Sequence, residues 1–306
     1  MSKENIKKEL GREKDFALID THRLTPKKDG GEYVDGNVVL SEPVEHMETH
    51  GNLRVRDETL NEIKMLIDDR EQIRKLYQKV ENQMLAYKRR TDHLSNFTLE
   101  WLKMQSIEFK KELTGRDKLI KKAIKEHSKI DPLTKAAMGV KGIGQITVAY
   151  MLIYIDLEKA RHASSLWAYC GYDKPSHARY EKGVAGGGNK TLRTALFTMA
   201  YSMMKTRGDY RYIYDRVKSR LEVSEKITKS RNTQGKLIEC MWKDTKLCHR
   251  HGAALRAMIK HFLADWWFVG RTLVGLPTAP GYAEAILGKD GHKTIAPEER
   301  GWKYDN

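Results

Sequence analysis

Residues 137–149 read AMGVKGIGQITVA, and Pro132 lies five positions before them. Gly142 and Gly144 interrupt two apolar helical runs, which predicts two helices joined by a tight turn. Backbone N–H groups at the start of the second helix can hold a phosphate oxygen, and Lys141 adds positive charge. We therefore predict nucleic-acid contacts at Lys141, Gly142 and Gly144 in a helix-hairpin-helix arrangement. An ordinary close turn stays open as the alternative.

A second glycine-rich stretch follows, because residues 186–193 read GGGNKTLR. A helix rich in Leu and Ala begins there, and its N-terminus carries positive potential. Asn189, Lys190 and Arg193 are therefore candidate contacts to DNA phosphates. The equally simple alternative is a loop with a helix cap.

The order of these pieces, with LWAYCGY at residues 166–172 between them, is similar to the C-terminal domain of insertion-sequence transposases of the IS-one-ten family. The resemblance covers roughly residues 132–205. It implies DNA binding, DNA recombination and transposition, in a protein of a mobile element or phage. Those enzymes also use a serine nucleophile, and Ser176 is the nearest candidate here. Their acidic N-terminal domain has no counterpart in this chain.

The first 56 residues carry a different pattern. Residues 38–40 read VVL and predict a short strand after a Gly-Gly turn, while Pro43 predicts the first turn of a helix. On that helix His46 and His50 are four apart, so both imidazoles project from one face and can share a cation. His22 would lie on the other arm of the hairpin, where an unligated imidazole can accept a proton.

This N-terminal order resembles the HNH, or ββα-metal, endonucleases, with the spacings of the colicin-type DNases. The resemblance implies that His22 is the general base, that Asn37 orients its loop, and that His46 and His50 bind the metal. That family usually has a metal-binding histidine or aspartate directly before the base. Thr21 stands at that position here, and Asp20 is the nearest replacement ligand.

The cofactor implied is a divalent metal ion. Phosphate chemistry favours magnesium, whereas a pair of histidines also suits zinc, manganese or nickel. A separate zinc site could be imagined farther along the chain from Cys240, Cys248, His249 and His251, although their spacing is not a standard one. The alternative for these cysteines is burial beside a basic helix.

Between the two motifs the apolar spacing of the sequence predicts long helices. From Leu60 to Tyr87 the apolar residues follow three-four spacing, and a second, weaker seam starts after a break at residues 91–96. These helices predict an antiparallel helical hairpin or a coiled coil that could form a homodimer. Two helices packed on the neighbouring domain would give the same pattern.

Composition favours a polyanionic partner, since 56 Lys and Arg against 41 Asp and Glu give a net charge of +15. No apolar stretch predicts a membrane span or a signal peptide, and three scattered cysteines fit a reducing compartment, so we expect a cytoplasmic protein. The glycine- and proline-punctuated tail after Pro277 is expected to wrap the surface.

We therefore predict a mainly α protein with three parts. Residues 1–56 form the nuclease-like module, residues 57–130 the helical spacer, and residues 131–306 the transposase-like domain. The predicted function is metal-dependent cleavage of DNA phosphodiester bonds. Two alternatives stay open: a serine-type strand-transfer recombinase with a degenerate N-terminal module, and a binding protein without catalysis that recognises DNA or a structured guide RNA.

Overall fold

The computed structural model describes residues 20–23, 38–41, 58–89, 96–173, 187–231, 234–278 and 296–304. Helices dominate these residues, so the predicted mainly α fold is confirmed. The chain divides into two compact units, residues 1–61 and residues 62–306. The finer division into three parts stays a prediction.

In the first unit two short strands pair antiparallel, β1 (Asp20–Arg23) and β2 (Val38–Ser41). His22 is opposite Val39 in the register, so the predicted strand exists and His22 lies on the other arm of the hairpin. The predicted helix after Pro43, with His46 and His50, lies outside the described residues, as does Asn37.

Two 32-residue helices open the second part of the chain, α1 (Glu58–Arg89) and α2 (Asn96–His127). They run antiparallel, because Arg70 Nε donates to Asp117 at 2.6 Å and Ser106 Oγ donates to Glu81 at 2.5 Å. The helical hairpin is thus the alternative that forms within one chain. A dimer through this spacer stays a prediction. The apolar seam is buried at Ile63, Val80, Leu102 and Ile120, as its spacing predicts.

The helical hairpin packs against the helix that contains Tyr150, and this tyrosine also bonds to it. Tyr150 is 2% exposed, and its hydroxyl donates to Glu71 at 2.5 Å and accepts from Arg70 at 2.9 Å. Burial acts to raise the pKa of Glu71, but hydrogen bonds from Arg74 and Tyr150 hold it below its ordinary value. Glu71 is therefore a carboxylate whose charge is compensated within the protein.

Among the residues that the structure describes, six helices and a β-hairpin follow. Pro132 occupies the first turn of α3, and the Asp131 carboxylate accepts from the Thr134 N–H at 2.8 Å, so this start has both a proline and a cap. Helix α8 packs against α3, α5, α6 and α7 and supplies much of the core. The remaining bounds are α3 (Pro132–Gly139), α4 (Gln145–Tyr154), α5 (Ala163–Tyr169), α6 (Lys190–Thr206), α7 (Arg211–Glu222), β3 (Ile227–Arg231), β4 (Leu237–Met241) and α8 (Leu247–Leu273), with 3-10 turns at Trp242–Asp244 and Pro297–Arg300.

Arg300 and Trp302 near the end of the tail are buried, so this part packs into the core instead of wrapping the surface as expected. Residues 279–295 of the tail lie outside the described residues. Trp302 is 1% exposed and stacks on Phe262 with ring centroids 5.9 Å apart. Arg300 pairs with Asp265 on α8, and both side chains are 4% exposed. A buried carboxylate needs a cation nearby, and the tail provides it.

Candidate nucleic-acid interface

The predicted helix-hairpin-helix is present as α3, the turn at residues 140–144, and α4. Gly142 has φ +96°, and a Cβ added there would lie 2.7 Å from the Cα of Met203 on α6. Only glycine satisfies both conditions without displacing backbone. Gly142 therefore holds the turn against α6, a packing role that the sequence did not separate from phosphate binding.

Gly144 is in a different environment from Gly142. It is exposed, nothing lies within 4 Å of an added Cβ, and it begins α4 without a side-chain cap. Lys141 is also exposed. The open part of this turn is therefore Lys141 and Gly144, where a phosphate could approach the first N–H groups of α4.

The glycine-rich loop is packed tightly at the start of α6. Gly188 has φ +89°, and a Cβ there would lie 2.7 Å from the Gly171 nitrogen. Asn189 caps α6, because its Oδ1 accepts from the Leu192 N–H at 3.0 Å, while its own N–H donates to the Tyr169 carbonyl at 2.6 Å. The helix-cap alternative is therefore what Asn189 does in the folded chain.

The two cations of this motif differ in exposure. Lys190 is exposed at the first turn of α6. Arg193 is partly buried, donates to the Gly171 carbonyl at 3.1 Å, and has its Cζ 5.3 Å from the centre of the Tyr172 ring. Arg193 thus joins the start of α6 to the end of α5 and still presents part of its guanidinium.

The two predicted contact regions lie at opposite ends of α6. Gly142 meets the helix near Met203, whereas Lys190 begins it. Thirteen helical residues at about 1.5 Å each separate these points by roughly 20 Å. The regions do not form one pocket, and a single phosphate cannot contact both.

Two further cations join the Arg193 end of α6. Arg256 and Lys260 are one turn apart on α8, and Lys260 Nζ lies 5.1 Å from the centre of the Trp167 ring. Burial lowers the pKa of Arg256, and the nearby charge of Arg193 lowers it further. Burial also lowers the pKa of Lys260, which the Asp173 carboxylate opposes.

The sequence did not single out Arg256 and Lys260 as candidate contacts, because residues 253–268 have the apolar spacing of an amphipathic core helix. The signal was present as RAMIK at residues 256–260, in which two cations four apart share one face of a helix. The sequence does not indicate that α6 packs beside that face of α8.

The imagined zinc site is not formed. The residues that the structure describes contain no group of three His, Cys, Asp or Glu able to hold a metal ion. The Nδ1 of His251 lies 2.7 Å from the Tyr214 hydroxyl, and His249 stacks on Trp242. Burial of the cysteines was also wrong, since Cys248 is exposed and Cys240 partly exposed.

Cys170 is a buried thiol beside the interface, and burial raises its pKa to about 12. It is therefore an uncharged packing residue at neutral pH. Ser176, the candidate nucleophile of the recombinase alternative, lies outside the described residues. Asp20 and His22 lie in β1, and their roles as ligand and base stay predictions.

Comparison with known families supports the C-terminal prediction. Residues 134–215 match the family model described as Transposase IS116/IS110/IS902 family. The match lies wholly within the second compact unit and includes the helix-hairpin-helix, the glycine-rich loop and α6. This part of the chain is thus transposase-like, which supports a DNA-processing role.

No curated protein matches the chain. Among the described residues no helix is both long and apolar enough to span a membrane.

Proposed function

We propose that this protein cuts DNA phosphodiester bonds in a metal-dependent reaction and that its transposase-like domain holds the DNA. The match at residues 134–215 carries the DNA-processing part of this proposal. The exposed cations at both ends of α6 support it, because phosphate contacts from Lys and Arg supply most of the affinity of non-specific DNA binding.

The cleavage part rests on the N-terminal motif. The pairing of β1 with β2 supports it, since His22 lies on one arm of a hairpin and Asn37 directly precedes the other arm. In the proposed reaction His22 accepts a proton from the attacking water and Asn37 orients the loop that carries it. His46 and His50, with Asp20 as a further ligand, would hold a divalent ion that neutralises charge on the leaving oxygen.

Cleavage of supercoiled plasmid tests this proposal. Purified protein would be incubated with the plasmid in Mg²⁺, Mn²⁺, Ni²⁺ or Zn²⁺, and nicking followed on agarose gels. We expect nicking by the wild-type protein, with at least about a hundredfold loss in His22→Ala and His46→Ala, because the base and a metal ligand are removed.

His162→Ala is the matched control, since His162 is an exposed histidine before α5 and has no role in the proposal. It should nick at the wild-type rate. DNA binding without nicking in any of the four metals would contradict the cleavage part and favour the binding protein without catalysis. Nicking that survives His22→Ala but is lost in Ser176→Ala would favour the serine recombinase.

A further inference from the structure

Three cations of the second unit lie on two helices that pack together, α6 and α8. Arg193 extends from the first turn of α6, and Arg256 and Lys260 extend from the middle of α8. The proximity of Arg193 to Arg256 lowers the pKa of Arg256, so the two guanidinium groups repel each other. We call Arg193, Arg256 and Lys260 the cation cluster.

Hydrogen bonds hold the surroundings of this cluster in place. Trp167 Nε1 donates to the Lys260 carbonyl at 3.0 Å, and the Tyr172 N–H donates to the Trp167 carbonyl at 2.7 Å. The Tyr172 hydroxyl in turn donates to the Arg193 carbonyl at 3.1 Å. The segment at the end of α5 therefore links the backbone of α6 to that of α8 beside the cluster.

Within the described ranges the cluster also has few anionic partners. Arg256 is half-buried and forms no hydrogen bond or ion pair with any residue in the described ranges. The one carboxylate that acts on the pKa of Lys260 is the exposed Asp173.

Arg300 and Arg271 are buried arginines of the same unit that have partners within the protein. Arg300 pairs with Asp265, and Arg271 donates to the Leu157 carbonyl at 2.6 Å and to the Pro277 carbonyl at 2.8 Å. Partial burial of a cation without such partners costs free energy, which an anion from outside can offset. The free protein therefore bears this cost in stability, and an anion that binds Arg256 would reduce it.

We propose that Arg193, Arg256 and Lys260 form a binding site for a backbone phosphate of DNA, bordered by the rings of Tyr172 and Trp167. A phosphodiester is the ligand that fits, because it carries one negative charge and oxygens that a guanidinium can contact in a bidentate manner. The exposed Lys190 lies at the same end of α6 and extends the path along the strand. The choice of DNA as ligand rests on the proposed function, whereas the site itself rests on the cluster.

Equilibrium binding tests the site. A fluorescent 20-base-pair duplex, its single strand and RNA of the same sequence would be titrated with full-length protein in EDTA at several salt concentrations. We expect Arg256→Gln and Lys260→Gln each to weaken DNA binding roughly tenfold and to reduce the slope of log K against log salt by about one. Arg256→Lys keeps the charge and should recover most of the affinity.

Arg220→Gln is the matched control, because Arg220 is an exposed cation in the last turn of α7 and the substitution removes the same charge. It should bind DNA nearly as well as the wild-type protein. Thermal unfolding without DNA separates binding from structure. Arg256→Gln should melt at or above the wild-type temperature, since it relieves the repulsion with Arg193.

The outcomes distinguish the site from the wider proposal. Unchanged affinity and salt slope in Arg256→Gln and Lys260→Gln, with wild-type binding intact, would overturn the site and leave the proposed function standing. An equal loss in Arg220→Gln, or a lower melting temperature in Arg256→Gln, would also overturn it. Tighter binding of RNA that both variants lose would assign the site to RNA. A wild-type protein that binds no DNA would contradict the proposed function as well.

Discussion

Helix α8 carries ionic groups of two kinds. In its C-terminal half Asp265 pairs with Arg300, and Arg271 donates to backbone carbonyls of the α4–α5 connection. In its middle, Arg256 and Lys260 face Arg193 with no buried carboxylate beside them in the parts of the chain that the structure describes. One helix therefore contains charges compensated inside the protein and charges left for a partner.

The comparison shows that residue type does not decide the role of a buried cation. Arginine occurs in both halves of the helix, buried at Arg271 and partly buried at Arg256. The difference is where the compensating oxygen comes from. A compensated charge contributes to the fold, whereas an uncompensated one costs stability until an anion binds.

The largest expected effect comes from removing the partner in the compensated half. Asp265→Ala would leave Arg300 buried without its carboxylate and would remove the acceptor of the Tyr210 hydroxyl. We expect a loss of about 3–5 kcal/mol in the free energy of unfolding, measured by urea denaturation. Asp215→Ala is the control, because its exposed pair with Arg211 should contribute less than about 1 kcal/mol. Equal losses in the two variants would contradict the comparison.

The two glycines of the helix-hairpin-helix show the same difference between a position used within the fold and one left accessible to a partner. A Cβ added at Gly142 would clash with the backbone of Met203, whereas nothing lies within 4 Å of a Cβ added at Gly144. Gly142→Ala should cost about 1–3 kcal/mol in unfolding free energy, because the new Cβ meets backbone at a positive φ. Gly144→Ala should cost less than about 1 kcal/mol, because the added Cβ meets no atom and alanine is only a weaker N-cap than glycine. Differential scanning calorimetry of both variants measures this, and similar melting temperatures would show that Gly142 has no packing role.

Much of the fold follows from local sequence signals. Pro132 and the Asp131 cap start α3, and three-four spacing placed Ile63, Leu102 and Ile120 in the seam of the helical hairpin. The burial of Trp302 was not predicted. It accompanies a long-range ion pair, Arg300 with Asp265, that no local pattern reveals. Local signals therefore predict elements, and long-range pairs decide how the ends of the chain pack.

The candidate site was predicted less completely. Glycine spacing correctly located the turn at Gly142 and the start of α6 at Lys190. It could not show that Asn189 is used as a cap or that Arg256 lies beside Arg193, because those facts depend on the packing of three helices. Whether these residues contact DNA stays a prediction.

A carboxylate placed in the cluster would convert the uncompensated half of α8 into a compensated one. Gly252 is one turn before Arg256, whose Nη1 lies 3.4 Å from the position of an added Cβ. Gly252→Glu should raise the free energy of unfolding by about 1 kcal/mol, since it removes a helical glycine and adds an ion pair.

The same substitution should weaken DNA binding, because the new carboxylate competes with phosphate for Arg256. Gly252→Gln is the matched control, in which the helix gains a similar side chain without the charge. Urea denaturation and duplex titration of both variants measure the two effects. Gly252→Glu binding DNA as tightly as Gly252→Gln would show that Arg256 does not contact the phosphate.

The smallest expected effect is a pH dependence at His251. Its imidazole lies between two hydroxyls, with Nδ1 2.7 Å from Tyr214 and Nε2 3.2 Å from Tyr201. A neutral imidazole has one donor and one acceptor, which fits this arrangement. Burial, with a contribution from Lys218, lowers its pKa below the ordinary 6.5. Acid would therefore create a cation that burial and the charge of Lys218 disfavour.

The sign of the effect follows from proton binding. Because the folded-state pKa is depressed, the unfolded chain binds the proton first, so stability should fall as the pH decreases through 6.5 and continue to fall until the folded-state pKa is passed. His251→Gln should show a shallower decline in urea midpoint between pH 7.5 and pH 5.5, while His162→Gln should follow the wild-type protein. Parallel curves for all three proteins would mean that His251 is solvated equally in the folded and unfolded chain, and the imidazole would then belong with the exposed groups rather than with the compensated ones.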